Sequence, residues 1–191
     1  MAKIDFGGTL EEVITRKEFP MAKARKVLKD ETIAVIGYGV QGPAQALNLK
    51  DNGFRVIVGS RPDGKGWKRA LEDGWKPGKT LFDIPEAVER GTIIQLLVAD
   101  AVQKELWPVI KPRLKEGDAL YFSHGFAIVY QKLTGVIPPP FVDVIMVAPK
   151  GPGHLVRRVF REGGGVPCLI AVHQDASGRA KDLALAYAKG I

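Results

Sequence analysis

Thr32-Ile33-Ala34-Val35-Ile36-Gly37-Tyr38-Gly39-Val40-Gln41-Gly42 is the stretch on which the fold turns. Its first half is a short apolar run that reads as a buried strand over Thr32 to Ile36. Its second half is Gly-x-Gly-x-x-Gly, and the residues behind it read as a helix to about Asn52, ended by Gly53. A strand feeding a helix through three glycines at this spacing is the dinucleotide fingerprint. Gly37 allows the tight bend, Gly39 lets a diphosphate approach the main chain, and Gly42 lets the helix pack close on the strand. Free N–H groups at the helix start face the phosphates. Gly37, Tyr38, Gly39, Val40, Gln41 and Gly42 are therefore candidate cofactor-binding positions. The competing reading is a glycine-rich turn without a ligand, which gives no reason for glycine at all three places.

Outward from this turn the pattern repeats. Phe54–Val58, Thr92–Val98, Ala119–Phe122, Asp143–Val147 and Cys168–Val172 read as short buried strands. Helices are expected around Pro20–Leu28, over Trp67–Glu72, Asp83–Arg90 and Ala101–Ile110, and over Ser177–Lys189 with the serine as its cap. Continuous apolar strands alternating with helices predict an α/β fold: a doubly wound, Rossmann-type, mostly parallel sheet with helices on both faces. Residues 1–30 are expected to form an N-terminal extension packed on a single domain over 31–191.

The chain has 191 residues, 46% hydrophobic and 26% charged, which suits one globular core and excludes a disordered tail or coiled coil. Its longest apolar runs fall short of the roughly 18–20 residues that a bilayer requires, and its start does not resemble a signal peptide, so no membrane partner and a cytoplasmic location are expected. The net charge of +7 admits anionic partners. The cations are scattered without aromatic interleaving, which argues against nucleic acid and leaves phosphorylated small molecules. Cys168 is the only cysteine and reads as a small core residue. Cys168 lacks partners for a zinc site, and no metal ligand is assigned.

The second strand ends Val58-Gly59-Ser60-Arg61. No acid stands where an Asp or Glu would hold the adenosine ribose 2′-hydroxyl, and Arg61 with Lys65 presents two cations where a 2′-phosphate would sit, so NADP is favoured over NAD. Asp63 in the same loop is the counter-signal, since it can accept from a ribose hydroxyl. His124, in the turn Ser123-His124-Gly125-Phe126, and Lys150, in Pro149-Lys150-Gly151-Pro152-Gly153, both follow strand C-termini, where doubly wound sheets bind ligands. Both are candidate catalytic groups. The bland alternatives are a hydrogen-bonded structural histidine and a solvated lysine.

Four motifs in order, Gly37 to Gly53, Val58-Gly-Ser-Arg-Pro62, Ser123-His-Gly-Phe126 and Ala148-Pro-Lys-Gly-Pro-Gly-His154 followed by Val156-Arg157, resemble ketol-acid reductoisomerase (acetohydroxy acid isomeroreductase). Ile170 to Gly178 extends the match. The resemblance covers the family's N-terminal nucleotide-binding domain. It implies an oxidoreductase that isomerises and reduces 2-acetolactate or 2-aceto-2-hydroxybutyrate with NADPH in branched-chain amino-acid biosynthesis, and an oligomeric full-length enzyme. It implies that two magnesium ions are held by a following knotted helical domain, so that this chain alone binds dinucleotide without turnover. It further implies cofactor contacts from Tyr38, Gly39, Val40, Gln41 and Arg61, from Asp100, Ala101, Val102 and Gln103, and from Gly153. His124 is implied at the edge of the active site with Lys150 nearby. The family usually carries phosphate-binding serines where this chain has Gly64 and Gly66, a departure that brings NADH into competition. A β-hydroxyacid-type dehydrogenase fragment and a non-enzymatic NADPH-sensing module are the alternatives.

Overall fold

The computed structural model describes residues 2–191. Its core is a seven-stranded sheet of β3 (Ile33–Ile36), β4 (Val56–Gly59), β5 (Leu81–Phe82), β6 (Ile93–Leu96), β7 (Ala119–Phe122), β8 (Asp143–Pro149) and β9 (Cys168–Gln174), in the order β5-β4-β3-β6-β7-β8-β9. Every neighbouring pair is parallel except β8 with β9, which closes one edge antiparallel.

Strand side chains alternate between two cores. Ile33, Val35, Val58, Ile93, Tyr121, Ile145 and Val147 face one layer. Ala34, Ile36, Ile57, Ile94, Leu96, Leu120, Phe122 and Val144 face the other. The first layer is covered by α1 (Met21–Val27), α2 (Gln41–Asp51), α3 (Lys65–Glu72) and α9 (Ala180–Gly190). The second is covered by α4 (Ile84–Arg90) and α5 (Asp100–Ile110), with the short α6 (Phe126–Val129) and α7 (Gln131–Thr134) beside α5. With strands buried on both faces, the continuous apolar runs in the sequence have their physical reason.

The structure departs from the expected elements in several places, the short helices α6 and α7 among them. Residues 2–13 form an exposed antiparallel hairpin of β1 (Ala2–Asp5) and β2 (Leu10–Val13). The third strand of the sheet in chain order, β5, is only two residues long and carries no periodic signal. Gly153–Arg161 is a helix, α8, entered through Pro152; its Arg157 and Arg158 read from sequence as a solvated or interdomain face, and Arg157 is half-buried and bonds Asn48 Oδ1 at 2.8 Å and Asp51 Oδ2 at 2.7 Å on α2. Finally, Ser177 does not cap α9. Its hydroxyl donates to Asp143 at 2.6 Å, and Ala180 N–H at the helix start is taken by Asp175 Oδ1 at 3.1 Å.

Candidate functional site

The chain leaves β3 for β4 on one side and later takes up β6 on the other, so the turns beyond their C-terminal ends part and open a crevice. At Gly37 the φ of 101° lies in the region that favours glycine, and a Cβ there would stand 2.8 Å from Val98 Cγ1. A Cβ on Gly42 would be driven into the Gly37 carbonyl. The protein's own backbone requires both glycines. It does not require Gly39, whose φ is not left-handed and whose Cβ would meet nothing within 4 Å. The middle glycine keeps open a space that no protein atom uses, which is the fit expected for a diphosphate lying against the main chain.

Tyr38 turns the other way. Its ring is buried, its hydroxyl donates to Asp73 Oδ2 at 2.8 Å, and Trp75 Nε1 donates to that hydroxyl at 2.8 Å. Burial, reinforced by the Asp73 carboxylate, holds the phenol well above its ordinary pKa. Only the main chain of Tyr38 is left for the crevice. Arg69 on α3 donates to the Gly39 carbonyl at 2.9 Å, bringing a guanidinium to the turn. Val40 is exposed, and Gly153 is buried so close to it that a Cβ there would strike the Val40 carbonyl. The visible work of Gly153 is to let α8 dock on the glycine turn.

Beyond β4, Gly64 N–H donates to the Arg61 carbonyl at 3.1 Å, closing a turn with Pro62 second and Asp63 third at φ 60°. Arg61, Asp63 and Lys65 are exposed. A Cβ on Gly64 would lie 3.0 Å from the Arg61 carbonyl, and one on Gly66 would lie 2.9 Å from Ser60 Oγ. Serine would therefore need local adjustment at both positions, and the Ser60 hydroxyl already occupies the room beside Gly66.

On the opposite wall Ala101 and Val102 are exposed on the first turn of α5, while Gln103 is buried. Gln103 Nε2 donates to the Val98 carbonyl and to Asp100 Oδ1, both at 3.3 Å. Its Oε1 is one of two buried side-chain oxygens without a partner among the described residues; the other is Gln95 Oε1. A buried acceptor with no donor, beside a ligand crevice, is a place for a ligand N–H or O–H.

His124 Nδ1 lies 3.6 Å from Asp100 Oδ2 and accepts from Phe126 N–H at 3.3 Å. With Nδ1 accepting, Nε2 is the nitrogen left to carry the ring proton. Lys150 is exposed and its N–H is fixed on the Pro167 carbonyl at 2.8 Å. Burial pushes the neighbouring Cys168 thiol up to about 11, and the Lys150 charge opposes that shift. His154 and His173 are exposed. No group of three or more His, Cys, Asp or Glu side chains among the described residues could hold a metal ion, and no helix is long and apolar enough to cross a membrane.

Nothing local in the sequence points to the Tyr38–Asp73–Trp75 clamp, because its partners are 35 and 37 residues away. The Asp100–His124 pairing was equally hidden. Gln45 and Gln95 did carry a signal: each is an amide in an otherwise apolar run.

A family model described as acetohydroxy acid isomeroreductase, NADPH-binding domain, matches residues 27–191. The chain is 58% identical over 191 residues to the ketol-acid reductoisomerase (NAD(+)) of Desulfosudis oleivorans, covering 100% of this chain and 54% of that protein. It is 54% identical over 188 residues to the mitochondrial ketol-acid reductoisomerase of Neurospora crassa, covering 98% and 47%. Among solved structures, an NADH-preferring ketol-acid reductoisomerase from an uncultured archean superposes with a TM-score of 0.85 at 42% identity, covering 94% of this chain and 53% of that one. The chain spans about half the length of the curated relatives it matches. With the glycine turn at the switch point of a doubly wound sheet and a family match over nearly all of that sheet, the chain belongs to the acetohydroxy acid isomeroreductase (ketol-acid reductoisomerase) family, as its NADPH-binding domain.

Proposed function

We propose that this chain seats NADP(H) in the crevice between the turns after β3 and β6, as the coenzyme-binding half of an enzyme that isomerises and reduces 2-acetolactate-type substrates. The observation that carries the reading is Gly39: of the three fingerprint glycines, it alone is unexplained by the protein's own packing. Main-chain N–H groups from Gly39 to Gly42 would take the diphosphate, Arg61 and Lys65 the 2′-phosphate, and Gln103 Oε1 a donor from the far half of the coenzyme. When bound, the nicotinamide supplies the hydride that reduces the substrate's ketone. His124, backed by Asp100, can hold or give a proton at Nε2, and Lys150 can orient a substrate carboxylate. In this reading Tyr38 contributes main chain only, and Gly64 and Gly66 shape the loop rather than bond the phosphate.

The substrate, the magnesium ions assigned by resemblance to a helical partner domain, homo-oligomerisation and the cytoplasmic location belong to the proposal for the longer enzyme. Family membership removes the β-hydroxyacid-type dehydrogenase alternative.

Calorimetric titration of the 191-residue chain with NADPH and NADH tests the reading. Saturable one-site binding that Gly39→Ala weakens at least tenfold supports it. Undetectable binding of both coenzymes, or an unchanged Kd in Gly39→Ala, overturns it.

A further inference from the structure

Beneath the three turns of the site lies a chain of amides and hydroxyls, buried at Gln45 and Gln95 and half-buried at Gln41 and Ser123, whose amide polarity is set from the Gly151 end. Gln41 Nε2 donates to the Gly151 carbonyl at 3.0 Å, so Gln41 Oε1 must face inward, where it accepts from Gln45 Nε2 at 3.1 Å. Gln45 has no exposed surface. Its Nε2 also donates to Ser123 Oγ at 3.2 Å, and its Oε1 accepts from Gln95 Nε2 at 2.7 Å and Tyr187 OH at 2.9 Å. Tyr121 OH stands within donating distance of both the Val147 carbonyl, at 2.7 Å, and Gln45 Oε1, at 3.0 Å, and its oxygen lies 3.1 Å from Ser123 Oγ.

No amide in this chain can flip alone. Reversing Gln45 would set donor against donor at Gln95 and acceptor against acceptor at Gln41. The arrangement even leaves Gln95 Oε1 buried without a partner, a cost that an apolar core at the same place would avoid. What the cost secures is visible in the endpoints: the glycine turn through Gln41, the Ser123–His124 turn through Ser123, and the Lys150–Gly151 turn through the Gly151 carbonyl. These turns follow β3, β7 and β8, and β6 separates the first strand from the other two.

We propose that Gln45 is a positioning residue that couples the coenzyme seat, His124 and Lys150 into one rigid rim. The inference rests on the reading of these turns as one site. Tyr187 provides the control, since its hydroxyl belongs to the same network but sits on α9 and reaches none of the turns.

The test follows the ring-proton NMR signals of the three histidines, with His124 assigned by His124→Gln, and the NADPH Kd in wild type, Gln45→Met and Tyr187→Phe. Gln45→Met is expected to shift or broaden the His124 signal and weaken NADPH about tenfold, the worth of one or two buried hydrogen bonds. Tyr187→Phe should lower the Tm while leaving the His124 signal in place and the Kd within about twofold. Equal effects of both variants on His124 and Kd, or no effect of Gln45→Met on either, overturn the proposal. Should Gln45→Met fail to fold, Gln41→Met breaks the same chain at its half-buried end. A shifted His124 signal in that variant supports the coupling and an unmoved one overturns it. The His124 signal is read without nucleotide, so failure of wild type to bind either coenzyme would sink the functional reading while the network result stands.

Discussion

The two loops that border the coenzyme crevice on the β3–β4 side are built on opposite terms. The turn from Gly37 to Gly42 is over-determined: Val98 crowds Gly37, Gly37 crowds Gly42, Arg69 holds the Gly39 carbonyl, and Tyr38 is clamped by Asp73 and Trp75. The loop from Ser60 to Gly66 has one internal backbone bond and three exposed charged side chains. One loop fixes a shape that any dinucleotide shares. The other presents charges that can distinguish a 2′-phosphate from a 2′-hydroxyl. On the proposed reading rigidity and selectivity fall to different segments, and substitutions can separate them.

The largest effect is expected at Gly37. Gly37→Ala puts a Cβ against Val98 in a backbone region alanine avoids, which should cost about 2–4 kcal/mol in denaturant unfolding and abolish coenzyme binding. Gly39→Ala is the sharpening partner: unfolding free energy within about 1 kcal/mol of wild type, with the loss confined to binding. If both alanines acted through stability alone, the distinction between a self-required glycine and a ligand-required one would fail.

Tyr38→Phe comes next. Removing the hydroxyl strands the Trp75 N–H and the Asp73 carboxylate, and about 1–3 kcal/mol of stability should be lost, read from the shift in the urea midpoint. NADPH and NADH affinities should fall together, because the clamp holds the shared turn and not the selective loop.

How much of this was legible in advance follows from the range of the interactions. The glycine turn is legible because strand, bend and helix are contiguous, and the placement of Arg61 and Lys65 just beyond β4 is legible because that loop follows directly on the strand. Helix α8 was missed because Pro149 to Gly153 reads as a loop and draws attention from Leu155, Val156, Val159 and Phe160 behind it, whose spacing is helical. The serine before α9 looked like a cap, but a buried neighbour, Asp143, claimed its hydroxyl. Which way a side chain faces is set by distant partners that the local pattern does not contain. Tyr38 sits in the fingerprint and points into the core, and Gln45 looks like a misplaced amide until Gln41, Ser123 and Gln95 are placed around it.

Selectivity should respond to the open loop alone. Arg61→Ala with Lys65→Ala is expected to weaken NADPH about tenfold and NADH less than about twofold, with unfolding unchanged within about 0.5 kcal/mol. The NADPH penalty should shrink in high salt, because both cations are exposed and screened. Equal losses for the two coenzymes would mean that this loop reads no phosphate.

The smallest effect is the most discriminating, because Asp63 has two separable reasons to be there. Its φ of 60° is a conformation that Asp and Asn tolerate better than most side chains, and its exposed carboxylate stands between the two cations in sequence. Asp63→Asn keeps the turn and removes the charge; Asp63→Gly relaxes the turn as well. If the carboxylate acts only as a repulsive neighbour of the 2′-phosphate, both variants should tighten NADPH about threefold at low salt and leave NADH unchanged. If it accepts from the ribose 2′-hydroxyl, both should also weaken NADH. A stability gain of up to about 1 kcal/mol in Asp63→Gly without any change in Asp63→Asn would assign the residue's cost to its backbone, leaving its chemistry to be read from the ratio of the two coenzyme affinities.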